Sequence, residues 1–164
     1  MAAIVQLKLT LSLIFVAFLF LHSVQAKSKT TKVEYCDNKT KYAVNVTGVE
    51  ITPNPVSRGK PTTFVISAST GESISGGDLT IEVKYFGLPV HSEKFDLCKE
   101  TSCPVATGDF VVSHTQELPG VTPPGTYTLK LKMLQGDGKE LSCVHFDFSI
   151  GWWIADEAGV VADS

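Results

Sequence analysis

Tyr127-Thr128-Leu129-Lys130-Leu131-Lys132-Met133-Leu134-Gln135-Gly136-Asp137-Gly138-Lys139-Glu140-Leu141-Ser142-Cys143-Val144-His145-Phe146-Asp147-Phe148-Ser149-Ile150 is the stretch on which the fold turns. As far as Met133 the odd positions are apolar and the even ones are threonine or lysine. From Val144 to Ile150 the apolar residues fall on even positions. An extended chain points successive side chains to opposite faces, so each half buries one face and wets the other. Gly136-Asp137-Gly138 lies between them and reads as a hairpin turn. Two antiparallel strands with one buried face follow.

The same alternation extends outward. Leu79-Thr80-Ile81-Glu82-Val83-Lys84-Tyr85 is apolar on odd positions, and Phe64-Val65-Ile66-Ser67-Ala68 fits less cleanly. Turn signals separate the runs: Pro53-Asn54-Pro55, Ser57-Arg58-Gly59, Gly76-Gly77 and Pro123-Pro124-Gly125. About eight short strands are predicted, starting near Val33, Val44, Thr62, Leu79, Val90, Phe110, Tyr127 and Leu141. In the second, Val44 and Val46 are even but Val49 and Ile51 are odd, with Gly48 between them. A bulge at Gly48 would keep all four inward. No long helical stripe, internal repeat or linker interrupts the pattern. The fold class is all-β, a single antiparallel β-sandwich.

Residues 9–21 are uniformly apolar or hydroxylated, preceded by Lys8 and followed by small residues at Val24 and Ala26. This reads as a signal peptide over 1–26, too short for a membrane span. The domain is then expected over 27–154, with an acidic tail at 155–164. The secretory pathway is implied, with the extracellular space (apoplast) or a vacuolar or lysosomal lumen as destination. Asn38-Lys39-Thr40 and Asn45-Val46-Thr47 are glycosylation sequons, which makes Asn38 and Asn45 the candidate acceptors. In an oxidising lumen, Cys36, Cys98, Cys103 and Cys143 read as two disulfides, for which three pairings exist. Cys98 and Cys103 are near enough to close a short loop, but spacing leaves the other pairings open. The formal charge of −3 provides no basic face, so nucleic acid is not an expected partner.

The search for chemistry yields little. There is no GxSxG, no HExxH and no glycine-rich phosphate loop. His91, His114 and His145 are far apart in sequence, and folding alone would have to bring any of them to a serine and an aspartate. No catalytic residue, metal site or cofactor is expected. The inward set comprises Phe64, Ile66, Leu79, Ile81, Val83, Tyr85, Tyr127, Leu129, Leu131, Val144, Phe146, Phe148 and Ile150. Periodicity makes these a sandwich core and does not distinguish a packed core from one parted around a lipid tail.

Function comes from local motifs. Gly87-Leu88-Pro89-Val90, then Cys98-Lys99-Glu100-Thr101-Ser102-Cys103-Pro104-Val105, then Leu118-Pro119, then Leu141-Ser142-Cys143 resemble the ML (MD-2-related lipid-recognition) family, from Cys36 to Ile150. That family includes the Niemann–Pick type C sterol carriers and the plant and fungal phosphatidylglycerol/phosphatidylinositol transfer proteins. The resemblance implies an immunoglobulin-like sandwich whose sheets part around an apolar cavity. It implies the pairs Cys36–Cys143 and Cys98–Cys103. A further family hairpin disulfide has no counterpart, since Asn54 and Pro55 stand there.

Pocket positions carry over by resemblance. Val49 and Ile51 match the second strand, Phe64 and Ile66 the third, and Val90 the valine of the GxPV motif. A sterol-carrier phenylalanine falls at Ser92, for which Phe95 is the expected substitute. Leu118, Pro123 and Pro124 match the mouth; Leu129, Leu131, Phe146 and Phe148 match the last two strands. With the inward-facing Ile81, Val83, Tyr85 and Tyr127 these make the expected lipid-binding set. Phe146 and Phe148 replace smaller aliphatics and would narrow or reshape the cavity, so sterol specificity does not transfer directly.

The expected function is non-enzymatic lipid binding and transfer, of sterol or anionic phospholipid, with the lipid as ligand rather than cofactor. A membrane surface met transiently, and a membrane receptor or transporter, are the expected partners; a monomer is expected. The alternatives are a lipid-dependent recognition protein contacting a receptor in defence or stress signalling, and an adhesion domain with a solid core. Lys84, Lys94, Lys99, Lys130 and Lys132 would either attract an anionic head group or merely keep wet strand faces soluble. Trp152 and Trp153 suit a membrane interface or a cap on the sandwich.

Overall fold

In the computed structural model, residues 30–154 are described. The expected signal peptide and the acidic tail lie outside them. Nine strands and one helical turn follow in order: β1 Glu34–Tyr35, β2 Val44–Thr52, β3 Val56–Arg58, β4 Pro61–Thr70, β5 Gly77–Tyr85, β6 Leu88–Asp96, α1 Leu97–Glu100, β7 Gly108–Glu117, β8 Gly125–Gln135 and β9 Glu140–Ile154. They form two facing sheets, one ordered β1-β9-β8-β5-β6 and one ordered β2-β4-β7. Apart from the short β3, which lies parallel to β9, every pairing is antiparallel.

The alternation does what period two requires. Thr62, Phe64, Ile66, Ala68 and Thr70 of β4 are buried, as are Tyr127, Leu129, Leu131 and Met133 of β8 and Val144, Phe146, Phe148 and Ile150 of β9. These faces meet in one core. At roughly 25 cal/mol per Å² of apolar area removed from water, this burial is the main force closing the sandwich. The β2 ladder slips between Val46 and Gly48, and Val44, Val46, Val49 and Ile51 are all buried. The glycine bulge therefore rephases the strand.

One flank is tied across the sheets. Thr31 N–H donates to Val49 O at 2.7 Å, joining the N-terminal segment to β2. Residues 34–35 then pair with β9. The Tyr35 hydroxyl donates to Asn45 Oδ1 at 2.7 Å and accepts from Val46 N–H at 2.9 Å. Cys36 is bonded to Cys143, and Cys98 to Cys103, the pairs that the family resemblance implies.

Three elements depart from the sequence reading. Ser57-Arg58-Gly59, read as a turn, overlaps β3 (Val56–Arg58), because a three-residue parallel strand is too short to show a period. β9 continues past Ile150, paired there to β3, so the tail through Ile154 extends the sheet. Residues 97–100 form α1, a single turn in which the Asp96 side chain accepts from Cys98 N–H at 2.9 Å.

Candidate functional site

The two sheets part between β6 and β7. Each is an edge strand, and no ladder joins them. A cavity of about 330 Å³ lies in the gap, at the lower end of the range for small-molecule sites. Phe64, Ile81, Tyr127, Leu129 and Phe148 line it and are buried, and they form its floor. The floor is largely aromatic. Phe64 meets Phe148 edge-on at 5.8 Å, Phe148 stacks on Tyr127 at 5.6 Å, and Tyr127 stacks on Tyr85 at 4.5 Å. Burial, reinforced by the neighbouring Tyr85 phenol, holds the Tyr127 hydroxyl above its ordinary pKa. That hydroxyl donates to Pro123 O at 2.8 Å, and the Tyr85 hydroxyl donates to Pro124 O at 3.2 Å, which fixes residues 118–125 beside the opening.

One end of the gap is closed. Leu97 of α1 is fully buried, and Ile74 and Val105 form a bridge under the Cys98–Cys103 loop. Phe95 of β6 and His114 of β7 then touch across the gap, with ring centroids 4.4 Å apart. His114 is 5% exposed, and its Nδ1 lies 3.2 Å from Oε2 of Glu100 on α1. The other end is open. Val90, His91, Glu93, Glu117 and Pro119 line it and are exposed; Gln116, Leu118 and Thr122 line it and are half-buried.

The structure brings nine of the expected lipid-binding residues together around this cavity: Phe64, Ile81, Val83, Val90, Phe95, Leu118, Tyr127, Leu129 and Phe148. Val49, Ile51, Ile66, Leu131 and Phe146 do not line it. They are buried where the sheets are in contact, and Phe146 packs on Phe64 at 6.5 Å. Alternation marks a side chain as inward but carries no information on whether the facing sheet touches it. Tyr85, Pro123 and Pro124 stand beside the opening without lining it. Asn38 and Asn45 are exposed, though the Asn45 side chain also accepts from Tyr35.

His91, Glu93, His114, Gln116, Glu117, Pro119 and Thr122 line the cavity without having been expected to. The missing signal was the face of β6. Register sets His91, Glu93 and Phe95 opposite Val83, Ile81 and Leu79, so all three share the inner face, although two are polar. Three of the five candidate lysines are spent in ion pairs: Lys84 with Glu82, Lys94 with Asp78 and Lys132 with Glu140. None of the five lines the cavity.

The ML domain family model matches residues 30–150. The chain belongs to the ML domain family. Among curated relatives, this ML domain is 29% identical over 131 residues to the phosphatidylglycerol/phosphatidylinositol transfer protein of Aspergillus oryzae, covering 74% of this chain and 75% of that one. It is 33% identical over 120 residues to the protein of the same name from Eremothecium gossypii, covering 68% of this chain but only 56% of the relative's length. Two solved structures share the sandwich. A Niemann-Pick type C2 protein from Japanese carpenter ant has a TM-score of 0.58 at 14% identity, covering 73% of this chain and 99% of that one. Chicken MD-1 complexed with lipid IVa has a TM-score of 0.52 at 16% identity, covering 77% and 98%. At such identities the likeness concerns the fold.

Proposed function

We propose that this ML domain is a non-catalytic carrier of a lipid in a lumenal or extracellular space. The observation that carries this reading is the aromatic-floored cavity between β6 and β7, which the chain's own side chains leave unfilled and which opens at one end. Unfilled space over an apolar floor is a cost to a domain unless a guest occupies it. An acyl chain or sterol ring gains about 0.8 kcal/mol for each CH₂ it buries, with no reaction required. The names of the fungal relatives support transfer of phospholipid, and the two disulfides support an oxidising compartment.

The surroundings of the opening suit brief contact with a bilayer. Phe86, Leu88, Val121 and Trp152 are exposed large apolar side chains. Phe86 packs on Tyr85, Leu88 pairs with Tyr85 in the β5–β6 ladder, Val121 lies within the 118–125 segment, and Arg58 donates to Thr122 O at 3.3 Å and Trp152 O at 2.6 Å, which places all four near that segment. A tryptophan and a phenylalanine at such a rim partition well into the head-group zone. Native mass spectrometry with lipid extraction tests the carrier reading, on protein from a eukaryotic secretory host. A stoichiometric lipid is the expected result. A clean apo mass that persists after incubation with sterol and phospholipid vesicles would refute it.

A further inference from the structure

We infer that Asn45 carries an N-linked glycan whose first N-acetylglucosamine is seated on the Tyr35–Tyr42 ring pair. The inference needs a secretory route and is independent of what the cavity between the sheets carries. A second cavity of about 240 Å³ is lined by Tyr35, Asp37, Asn38, Thr40, Tyr42 and Asn45, among others. It borders β2, at the opposite edge of its sheet from β7 and the β6–β7 gap. Both sequon asparagines therefore stand on one cleft. A tyrosine precedes each by three residues, Tyr35 before Asn38 and Tyr42 before Asn45. Those two rings are half-buried and stack at 5.4 Å, with their planes 17° apart.

The hydrogen bonds single out Asn45. Its Oδ1 accepts from the Tyr35 hydroxyl at 2.7 Å, which holds the amide beside the ring pair. Asn38 stands on a turn, and among the described residues no side-chain hydrogen bond orients it. Glycan transfer forms a bond from Nδ2 to the anomeric carbon of the sugar and breaks that carbon's bond to a lipid-pyrophosphate donor, which leaves as the amide gives up one proton. Oδ1 is untouched, so the Tyr35 bond survives the modification. The sugar presents a face of C–H groups, which buries apolar area against an aromatic ring. Its hydroxyls reach the polar rim. Asp37 accepts from Lys39 N–H through Oδ1 and from the Thr40 hydroxyl through Oδ2, both at 2.8 Å, and each oxygen keeps a further lone pair. A seated sugar also protects the fold. Val46 N–H points off the edge of β2 to the Tyr35 hydroxyl, at 2.9 Å. A glycan beside Tyr35 extends that cover along the edge and keeps other strands from pairing there.

The test uses the full mature chain from a eukaryotic secretory host. Glycopeptide mass mapping should find Asn45 occupied. With the glycans trimmed to the first N-acetylglucosamine, denaturant unfolding is then measured over a cycle of two substitutions. Thr47→Ala removes the sequon and leaves Asn45 in place, and Tyr42→Leu removes the ring but keeps apolar bulk at a half-buried position. The Thr47 hydroxyl's bond to Ser67 O is lost in both backgrounds and cancels. Thr47→Ala should lower the folding constant by at least roughly twofold more with Tyr42 in place than in the Tyr42→Leu background. Tyr42→Phe keeps a ring and should restore the difference. Asn38→Gln should show no such coupling to Tyr42. An unoccupied Asn45 overturns the inference, as does an equal loss in both backgrounds or a coupling that belongs to Asn38 instead. Lipid loading of the same samples reports separately on the carrier reading.

Discussion

Val90 is 55% exposed and yet lines the cavity. The β5–β6 register slips between Val83 and Lys84, and the ladder pairs His91 and Pro89 but passes over Val90. A larger side chain there has solvent on one side and the cavity on the other. Val90→Trp should therefore abolish lipid loading while shifting the unfolding free energy by less than about 0.5 kcal/mol, as measured by native mass spectrometry and denaturant melts. Loading that survives the substitution would relocate the opening. Phe148 is the opposite case, buried and packed on two rings of the floor. Phe148→Ala should cost about 3–5 kcal/mol in a urea melt. Tyr127 adds a pH signature. Its pKa is raised by burial, so the folded state keeps it neutral beyond the pH at which the unfolded chain ionises. Its contribution is complete below pH 10.0, the ordinary tyrosine value, and is lost as the pH rises through the elevated one. Tyr127→Phe should flatten the alkaline fall in stability and remove from the ultraviolet titration a phenolate that appears above the ordinary tyrosine range.

At the scale of elements, the strands with a buried face announce themselves, and those at the gap do not. β8 and β9 alternate cleanly, and β4 does so but for the outward Val65, because both neighbours and the opposite sheet constrain them. β6 is paired on one side only, and its residues are almost all exposed. Its sequence, Leu-Pro-Val-His-Ser-Glu-Lys-Phe-Asp, therefore shows no apolar period, and the polar half of the site escaped the sequence reading with it. The floor was legible because Phe64, Tyr127, Leu129 and Phe148 sit on the regular strands. The boundary between floor and packed core was not, because it depends on where two sheets separate. The start of β8 depends on a backbone position. Gly125 has φ +142°, and a Cβ there would stand 3.2 Å from the Tyr85 ring. Gly125→Ala should destabilise by at least about 1 kcal/mol and change the near-ultraviolet circular dichroism as Tyr85 shifts.

For the whole molecule, the two disulfides act on different lengths of chain. Cys36–Cys143 spans 107 residues and Cys98–Cys103 spans five. On chain entropy, serine replacement of the first pair should cost about 4–5 kcal/mol, and of the second about 2 kcal/mol. Denaturant midpoints of the two double mutants check the order, and a reversed order would mean that the short loop acts chiefly through the packing of Leu97 and α1.

The ties that cross the sheets have a mechanical consequence. Thr31 pairs with Val49 of β2, residues 34–35 and Cys36 are held to β9 of the other sheet, and the Tyr35 hydroxyl reaches Asn45, so the N-terminal segment joins the two sheets along the β1–β2–β9 flank. The cavity opens at the opposite flank, where α1 and the Phe95–His114 contact bridge the sheets at one corner. The sandwich is thus bound like a book, with a stitched spine and a fore-edge held at one corner. A slight rotation about the spine opens the free corner most and disturbs the spine least. A tail that needs more than the 330 Å³ between the covers would have to be met by a swing at that free corner.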